Sequence, residues 1–203
     1  MAAVKSANTE LIFETERLTL RKFRTTDFND FWDFMRQTKD DPTTAWPVYH
    51  TQAEAQEGLA KAARSSFFFA IVLKDKHKVV GAIKLDRYKK EKRSTMRVAR
   101  GTKEINYILH PKYWRQEIIP EAMRAVVEYA FTVLNVPEIV TCHAEINTPS
   151  GEVQENLGFQ IAGRIRNYYI WTDGTPSARI QRKLTQDEFY HQYVRTTVQN
   201  PRP

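Results

Sequence analysis

The residues of this 203-residue chain with the widest chemical use are five histidines and one cysteine. The histidines are His50, His77, His110, His143 and His191, and they are scattered without HExxH or CxxC spacing. Cys142 lies in an apolar run, EIVTCHAEI, which indicates a buried and inert thiol. The sequence also lacks GxSxG, GxxxxGK[ST] and GxGxxG. We therefore expect no metal site, no nucleotide-phosphate loop and no covalent nucleophile.

The net charge of +7 comes from one segment rather than from the whole surface. Residues 84–103, KLDRYKKEKRSTMRVARGTK, contain nine Lys or Arg and two Asp or Glu, so the rest of the chain is electrically balanced. A nucleic-acid surface usually extends over a face and interleaves aromatic residues, and here Tyr88 is the sole aromatic residue. We expect this basic segment to be a solvated hairpin or a docking surface for an acidic partner. An RNA- or ribosome-associated module is a further hypothesis.

Length and composition favour one globular domain without a membrane segment. The longest strongly apolar run, FFFAIV at 67–72, is far shorter than the roughly 20 residues of a membrane span. The N-terminal residues lack the apolar core of a signal peptide. We expect a cytoplasmic protein with an N-terminal extension at 1–14, a single domain at 15–195 and a tail at 196–203.

Strand and helix signals alternate along the chain. Strands are predicted at 17–23, 66–74, 79–88, 103–110, 138–146, about 160–171 and 178–184. Helices are predicted from Thr26 or Asp27 to about Arg36, at about 52–64, from Pro120, from Thr148 to Leu157 closed by Gly158, and after Thr185. Because hairpins and crossover helices both occur, the predicted fold class is α/β with a mixed sheet.

Four strings in this order resemble the GNAT superfamily of acyl-CoA-dependent N-acyltransferases, and within it the RimJ/RimL-like branch. They are TERLTLRKF with Asp27, EINYILHPKYW, IIPEAMRAVVEYAF and NTPSGEVQENLGF. The resemblance extends from about Thr15 to Phe189. It implies a twisted mixed sheet of about seven strands with flanking helices, splayed between the strands at 103–110 and 138–146 to admit acyl-CoA.

The resemblance also implies acetyl-CoA as co-substrate, without a metal, and a set of binding residues. The pantetheine amides would pair with backbone groups of Ile108, Leu109 and His110, as a short added strand does. The pyrophosphate would lie at a helix start with free N–H groups, formed by Arg115, Gln116, Glu117, Ile118, Ile119 and Pro120. The side-chain amide of Asn147 would hold the cofactor.

The chain departs from the family in the pyrophosphate loop, WRQEIIPEA. The family has glycine or another small residue where this chain has Arg115, Glu117 and Ile119, and no glycine lies between positions 102 and 150. A carboxylate at Glu117 would repel a pyrophosphate if it faced the site, whereas a solvent-facing Glu117 would leave the backbone N–H groups able to bind. Two alternatives remain open, an intact and a lost cofactor site.

Two side chains match family positions for acetyl transfer to an amine. Glu104 would accept the amine proton, directly or through water, although it could equally be an exposed charge paired with nearby lysines. Ser150 would donate to the departing CoA thiolate, although Asn147 and Ser150 are also ordinary helix-capping residues.

The resemblance thus implies an N-acetyltransferase that acts on a primary amine, either a protein N-terminal α-amine or a small amine. The alternative is a catalytically weak or inactive member that works as a binding module. Tyr168, Tyr169 and Trp171 could line the acceptor pocket or belong to the core, and a homodimer is a family expectation.

Overall fold

The computed structural model describes residues 3–7, 10–37, 46–170 and 174–199. The strands within these ranges are β1 (Ala3–Ala7), β2 (Glu10–Glu14), β3 (Leu18–Lys22), β4 (Phe68–Leu73), β5 (Lys78–Arg87), β6 (Lys103–Leu109), β7 (Glu138–Ala144), β8 (Gln160–Ile170) and β9 (Pro176–Thr185). The α-helices are α1 (Phe28–Gln37), α2 (Gln52–Arg64), α3 (Ile118–Thr132), α4 (Thr148–Asn156) and α5 (Gln186–Gln199). Two short 3₁₀ helices lie at Thr25–Asp27 and Pro111–Tyr113.

The described backbone divides into two compact units, each built from two chain segments. The first unit takes its residues from 1–86 and 106–128, and the second from 87–105 and 129–203. β6 and α3 each contribute to both units. The expectation of one domain at 15–195 stays a prediction.

In the first unit, β1 to β5 form successive antiparallel pairs. The spacing of Phe31, Phe34 and Met35 places all three on one face of α1, where they are buried. They pack with Leu59 of α2 and Ala70 of β4 in one hydrophobic cluster. The predicted hairpin of β4 and β5 is therefore confirmed, and α1 and α2 lie where the periodicity predicts them.

In the second unit, β9 pairs antiparallel with both β7 and β8. β6 pairs parallel with β7 through Lys103 with Ile139 and Glu104 with Val140. This ladder ends there, although β6 continues to Leu109 and β7 to Ala144. Because parallel and antiparallel pairs coexist, the α/β class with a mixed sheet is confirmed.

Several boundaries differ from the sequence prediction. The described residues contain nine strands rather than about seven, because the predicted extension at 1–14 contains β1 and β2. α3 begins at Ile118, so Pro120 is its third residue, a position that also lacks an intrahelical N–H partner. α5 runs to Gln199, into the predicted tail. Residues 38–45, and Trp171 with its two following residues, lie outside the described ranges.

The helix ends in the second unit follow the local sequence. Gly158 has φ +89°, and the amides of Gly158 and Phe159 donate to Glu155 and Gln154 at 2.8 and 3.0 Å. Thr185 caps α5, since its hydroxyl accepts from the Glu188 amide at 3.2 Å. The predicted turn at Gly158 and the predicted helix after Thr185 are thus confirmed.

The basic segment at 84–103 contains a loop between β5 and β6 that is partly solvated and partly anchored. Its loop between β5 and β6 is closed by a backbone bond from Tyr88 to Thr102 at 3.1 Å. Tyr88, Ser94 and Met96 are buried, and Ser94 donates to Gln181 of β9 at 2.6 Å. Its apolar and hydroxyl residues therefore anchor the loop while its lysines and arginines remain outside. A docking role for an acidic partner stays a prediction. Among the described residues, no helix is long and apolar enough to cross a membrane.

Candidate active site

In the first unit, the loop before α3 has the backbone conformation of a glycine loop without containing glycine. Arg115 and Glu117 both have φ +58°, in the left-handed region. These are positions where the resemblance implies glycine, the residue that adopts this region without a Cβ penalty. Glu117 is exposed, whereas Ile118 and Ile119 are buried and anchor the helix start.

Side chains of the same segment fix the loop conformation. His110 caps the 3₁₀ helix at Pro111–Tyr113, because its Nδ1 accepts from the Lys112 amide at 3.0 Å. Gln116 Nε2 donates to the Lys112 carbonyl at 2.9 Å, and the Trp114 indole donates to the Leu109 carbonyl at the same distance. These bonds hold the two left-handed residues between a fixed strand end and a fixed helix start.

Arg17 and Thr15 bind the first turn of α3, a feature that the sequence analysis missed. Arg17 Nη1 donates to the Gln116 carbonyl at 2.9 Å, and its Nε donates to Glu121 at 2.7 Å. Thr15 Oγ1 donates to the same Glu121 carboxylate at 2.5 Å. Burial alone would raise the pKa of Glu121, but the bonds from Thr15 and Arg17 outweigh burial and lower it. Only the string TERL, which is part of the family resemblance, could have indicated this contact.

The end of β6 offers fewer backbone groups than expected. The His110 amide donates to Val80 of β5 at 2.8 Å, so His110 faces β5. A Cβ at Gly81 would lie 2.3 Å from the Ile108 carbonyl oxygen, which therefore also faces β5. Since backbone groups alternate along a strand, Leu109 is the one of these three that faces the other edge. Its carbonyl already accepts the Trp114 indole N–H.

In the second unit, Glu104 lies in a polar cluster formed by three strands. Its Oε1 accepts from Arg179 Nη2 at 3.0 Å and lies 3.8 Å from the Cys142 thiol. The Glu104 and Arg179 side chains are only 15% and 11% exposed. Burial raises the pKa of Cys142 to about 11, so the thiol remains protonated, as its inert assignment predicts. The ion pair with an arginine of β9 was not foreseen.

Two further residues complete this cluster. The Arg179 Nη1 donates to the Tyr168 hydroxyl at 2.7 Å, and that hydroxyl donates to Glu91 at 3.0 Å. The Arg179 guanidinium also lies over the Tyr168 ring, 4.9 Å from its centroid. Arg179 and Glu91 were missed because they are distant in sequence from Glu104. The one signal for this contact was the presence of an arginine, Arg179, within the largely buried strand β9.

Asn147 and Ser150 form a helix cap. The Asn147 Oδ1 accepts from the Ser150 amide at 3.2 Å, which is the ordinary start of α4. Below it, His143 and Gln154 are buried and bonded at 2.8 Å. A Cβ at Gly151 would lie 2.9 Å from His143 Nε2, so α4 packs directly on β7. Burial lowers the pKa of His143, which keeps the imidazole neutral.

The predicted site residues are thus divided between the two units. The first holds the strand end and the loop, Ile108 to His110 and Arg115 to Pro120. The second holds Glu104, Asn147 and Ser150. No cluster of three or more His, Cys, Asp or Glu suited to a metal occurs in the part of the chain that the structure describes.

The loop in the left-handed conformation before α3 is in keeping with the resemblance to acyl-CoA-dependent N-acyltransferases. The chain belongs to this family, because the acetyltransferase (GNAT) domain matches residues 17–160.

One relative is the N-acetyltransferase p20 of Bacillus licheniformis, itself described as uncharacterized. It is 28% identical over 160 residues, which cover 76% of this chain and 85% of that protein. Solved structures share the fold at lower identity. A GNAT-family acetyltransferase from Bacillus anthracis has a TM-score of 0.73 at 20% identity, covering 87% of this chain and 99% of that one.

Two other solved structures have more specific names. The ribosomal-protein-S5-alanine acetyltransferase from Vibrio fischeri has a TM-score of 0.70 at 19% identity, covering 88% of this chain and 98% of that one. The microcin C7 self-immunity acetyltransferase MccE, in complex with acetyl-CoA and AMP, has a TM-score of 0.67 at 15% identity, covering 84% and 93%.

Proposed function

We propose that this protein transfers the acetyl group of acetyl-CoA to a primary amine. The observation that carries the proposal is the left-handed backbone of Arg115 and Glu117, since the loop keeps its glycine-type conformation without glycine. A member that had lost its cofactor would have no reason to retain two strained residues at these positions.

Three parts of the chain would bind acetyl-CoA. The free N–H groups at the start of α3 would hold the pyrophosphate, helped by the helix dipole. The Leu109 backbone would pair with a pantetheine amide at the edge of β6 that faces away from β5. Asn147 would contribute its side-chain amide while its oxygen caps α4. The complex of MccE with acetyl-CoA supports this choice of co-substrate.

Glu104 would act as the general base of the reaction. The acceptor amine must lose a proton to attack the thioester carbonyl carbon, and the Glu104 carboxylate would take that proton directly or through a water. As the carbon–sulfur bond breaks, the Ser150 hydroxyl would donate a hydrogen bond to the departing thiolate. The products are an N-acetyl amide and free CoA, so atoms and charge balance without a metal.

The acceptor that we propose is more specific than the fold alone indicates. We infer a protein N-terminal α-amine or a small amine, and assignment to the RimJ/RimL-like branch favours the α-amine. An α-amine has a pKa of about 8 and needs less help from a base than a lysine side chain does. The likeness to a ribosomal-protein acetyltransferase supports this choice. We also infer a cytoplasmic location, where such acceptors and acetyl-CoA occur.

The test is thermal shift with acetyl-CoA followed by thiol-release assays on a panel of peptides and small amines. We expect ligand stabilisation and amine-dependent release of CoA. Glu104→Gln and Ser150→Ala should lower kcat by roughly a hundredfold and tenfold while stabilisation by acetyl-CoA persists. Glu152→Gln, at an exposed position of α4, is the matched control and should change neither. Absence of a shift with saturating acetyl-CoA would favour the inactive binding module instead.

A further inference from the structure

Arg179 is a largely buried cation placed between two carboxylates. Its Nη2 lies 3.0 Å from Glu104 Oε1, and its Nη1 lies 3.6 Å from Glu91 Oε1. Glu104 is largely buried, whereas the Glu91 side chain is 40% exposed. A buried guanidinium holds a carboxylate in a fixed direction, because its planar fork is rigid and remains charged.

The position of Arg179 is itself fixed from two sides. On β9 it is held in register with Ala144 of β7 and Ile165 of β8. On the other side, the Tyr168 hydroxyl accepts a hydrogen bond from Arg179 Nη1 and donates one to Glu91. The chain of contacts is therefore Glu91, Tyr168, Arg179 and Glu104, and it begins on the basic loop between β5 and β6.

From this geometry we propose that Arg179 is a positioning residue for the Glu104 carboxylate, and that Glu91 and Tyr168 orient Arg179. The proposal rests on the proposed function, in which Glu104 is the base. Arg179 would favour the ionised carboxylate and fix its direction, and it would not touch the acceptor itself. The basic loop would then contribute to catalysis through one acidic residue, Glu91, rather than through its lysines and arginines.

The charged and titratable groups around Glu104 come from each element packed against it. They are Cys142 on β7, Arg179 on β9, Tyr168 and Tyr169 on β8, and Tyr88 and Glu91 on the loop after β5. Burial raises the pKa of Tyr169 to about 12 and that of Cys142 to about 11, so both stay neutral at physiological pH. Arg179 is therefore the one cation of this set. Its removal deletes the ion pair of the Glu104 carboxylate with Arg179.

The test compares Arg179→Met, Arg179→Lys, Tyr168→Phe and Glu91→Gln by steady-state kinetics from pH 5 to 9. We expect Arg179→Met to lower kcat by on the order of tenfold to a hundredfold with little change in the KM for acetyl-CoA. The acidic limb of the pH profile of kcat should move to higher pH by about one unit or more in Arg179→Met. Without the cation, the protonated form of the Glu104 carboxyl becomes more favourable. Arg179→Lys should restore part of the activity and most of the pH profile.

Tyr168→Phe and Glu91→Gln act through Arg179. They should therefore have smaller effects in the same direction, lowering kcat a fewfold. Arg164→Met, which removes an exposed cation of β8 that pairs with Glu145, is the matched control and should leave the profile unchanged. A normal pH profile for Arg179→Met, or a loss of kcat that Arg179→Lys does not relieve, would overturn the proposal.

A second measurement separates this inference from the proposed function. The carboxyl carbon of Glu104 can be followed by NMR in the substrate-free chain, with Glu104→Gln to assign the signal. Its titration should move to higher pH in Arg179→Met whether or not an acceptor amine has been found. If the wild-type chain acetylates no amine but the titration moves, the proposed function fails and the pairing stands. If turnover is present and the titration does not move, the positioning role fails alone.

Discussion

Replacing Glu117 with glycine should stabilise the protein, which is unusual for a substitution in an ordered loop. A left-handed backbone costs a residue with a Cβ roughly 1–2 kcal/mol. Glycine avoids that cost but loses roughly 0.5–1 kcal/mol more backbone entropy on folding. For Glu117, at φ +58° with an exposed side chain, the net gain is about 0.5–1 kcal/mol. For a chain of this size, that gain corresponds to a rise in Tm of about 1–4 °C.

Glu117→Ala is the matched control, because it removes the carboxylate and keeps the Cβ. The stability of wild type, Glu117→Gly and Glu117→Ala is compared by urea unfolding without ligand. Only the glycine variant should gain stability if backbone strain is the cause. Equal stability of the two variants would show that the left-handed conformation of Glu117 costs no free energy that glycine relieves.

The same pair of variants tests the charge of Glu117 against the pyrophosphate. An exposed charge at about 4 Å contributes on the order of 1 kcal/mol in water, or about fivefold in Kd. Both variants should therefore bind acetyl-CoA up to about fivefold more tightly, with an effect that salt screens. A larger gain for glycine alone would mean that the Cβ, and not the carboxylate, obstructs the ligand.

Three further predictions concern titratable groups that are buried or partly buried. With its pKa raised to about 11, Cys142 should react with iodoacetamide at pH 8 about a hundredfold more slowly than an ordinary thiol, and at the ordinary rate after unfolding in urea. Since burial lowers the pKa of His143, the free energy of unfolding should fall as pH decreases below about 6.5, and His143→Leu should show a smaller fall between pH 7.5 and 5.5. Glu121 has a lowered pKa because the bonds from Thr15 and Arg17 outweigh burial, so its contribution is present above about pH 4.5 and lost below it. Glu121→Gln should therefore cost about 1 kcal/mol at pH 7 and clearly less at pH 3.5, by urea unfolding.

The sequence predicted the elements of the fold well where the signal was local. The apolar spacing in α1, the turn at Gly158 and the cap at Thr185 depend on neighbouring residues, and each has its predicted form. The boundary of α3 moved to Ile118 because the buried Ile118 and Ile119 extend the helix beyond the proline signal.

The site was less predictable because its contacts join residues that are far apart in sequence. Arg179 meets Glu104 only because β7 lies between β6 and β9, a neighbour relation that no periodicity encodes. Arg17 reaches Glu121 across a separation of 104 residues in the chain. The left-handed backbone of Glu117 could not be predicted either, because a glutamate does not indicate that conformation.

The most direct test of acetyl transfer is the release of CoA thiol from acetyl-CoA with and without an amine acceptor, in the wild-type chain and in Glu104→Gln. We expect amine-dependent release in the wild type and formation of the N-acetyl product by mass spectrometry. In Glu104→Gln both should be slower by roughly a hundredfold while acetyl-CoA still binds. Unchanged amine-dependent release in Glu104→Gln would contradict the role given to this carboxylate. Tight acetyl-CoA binding with no release for any peptide or small amine tested would contradict the transfer itself.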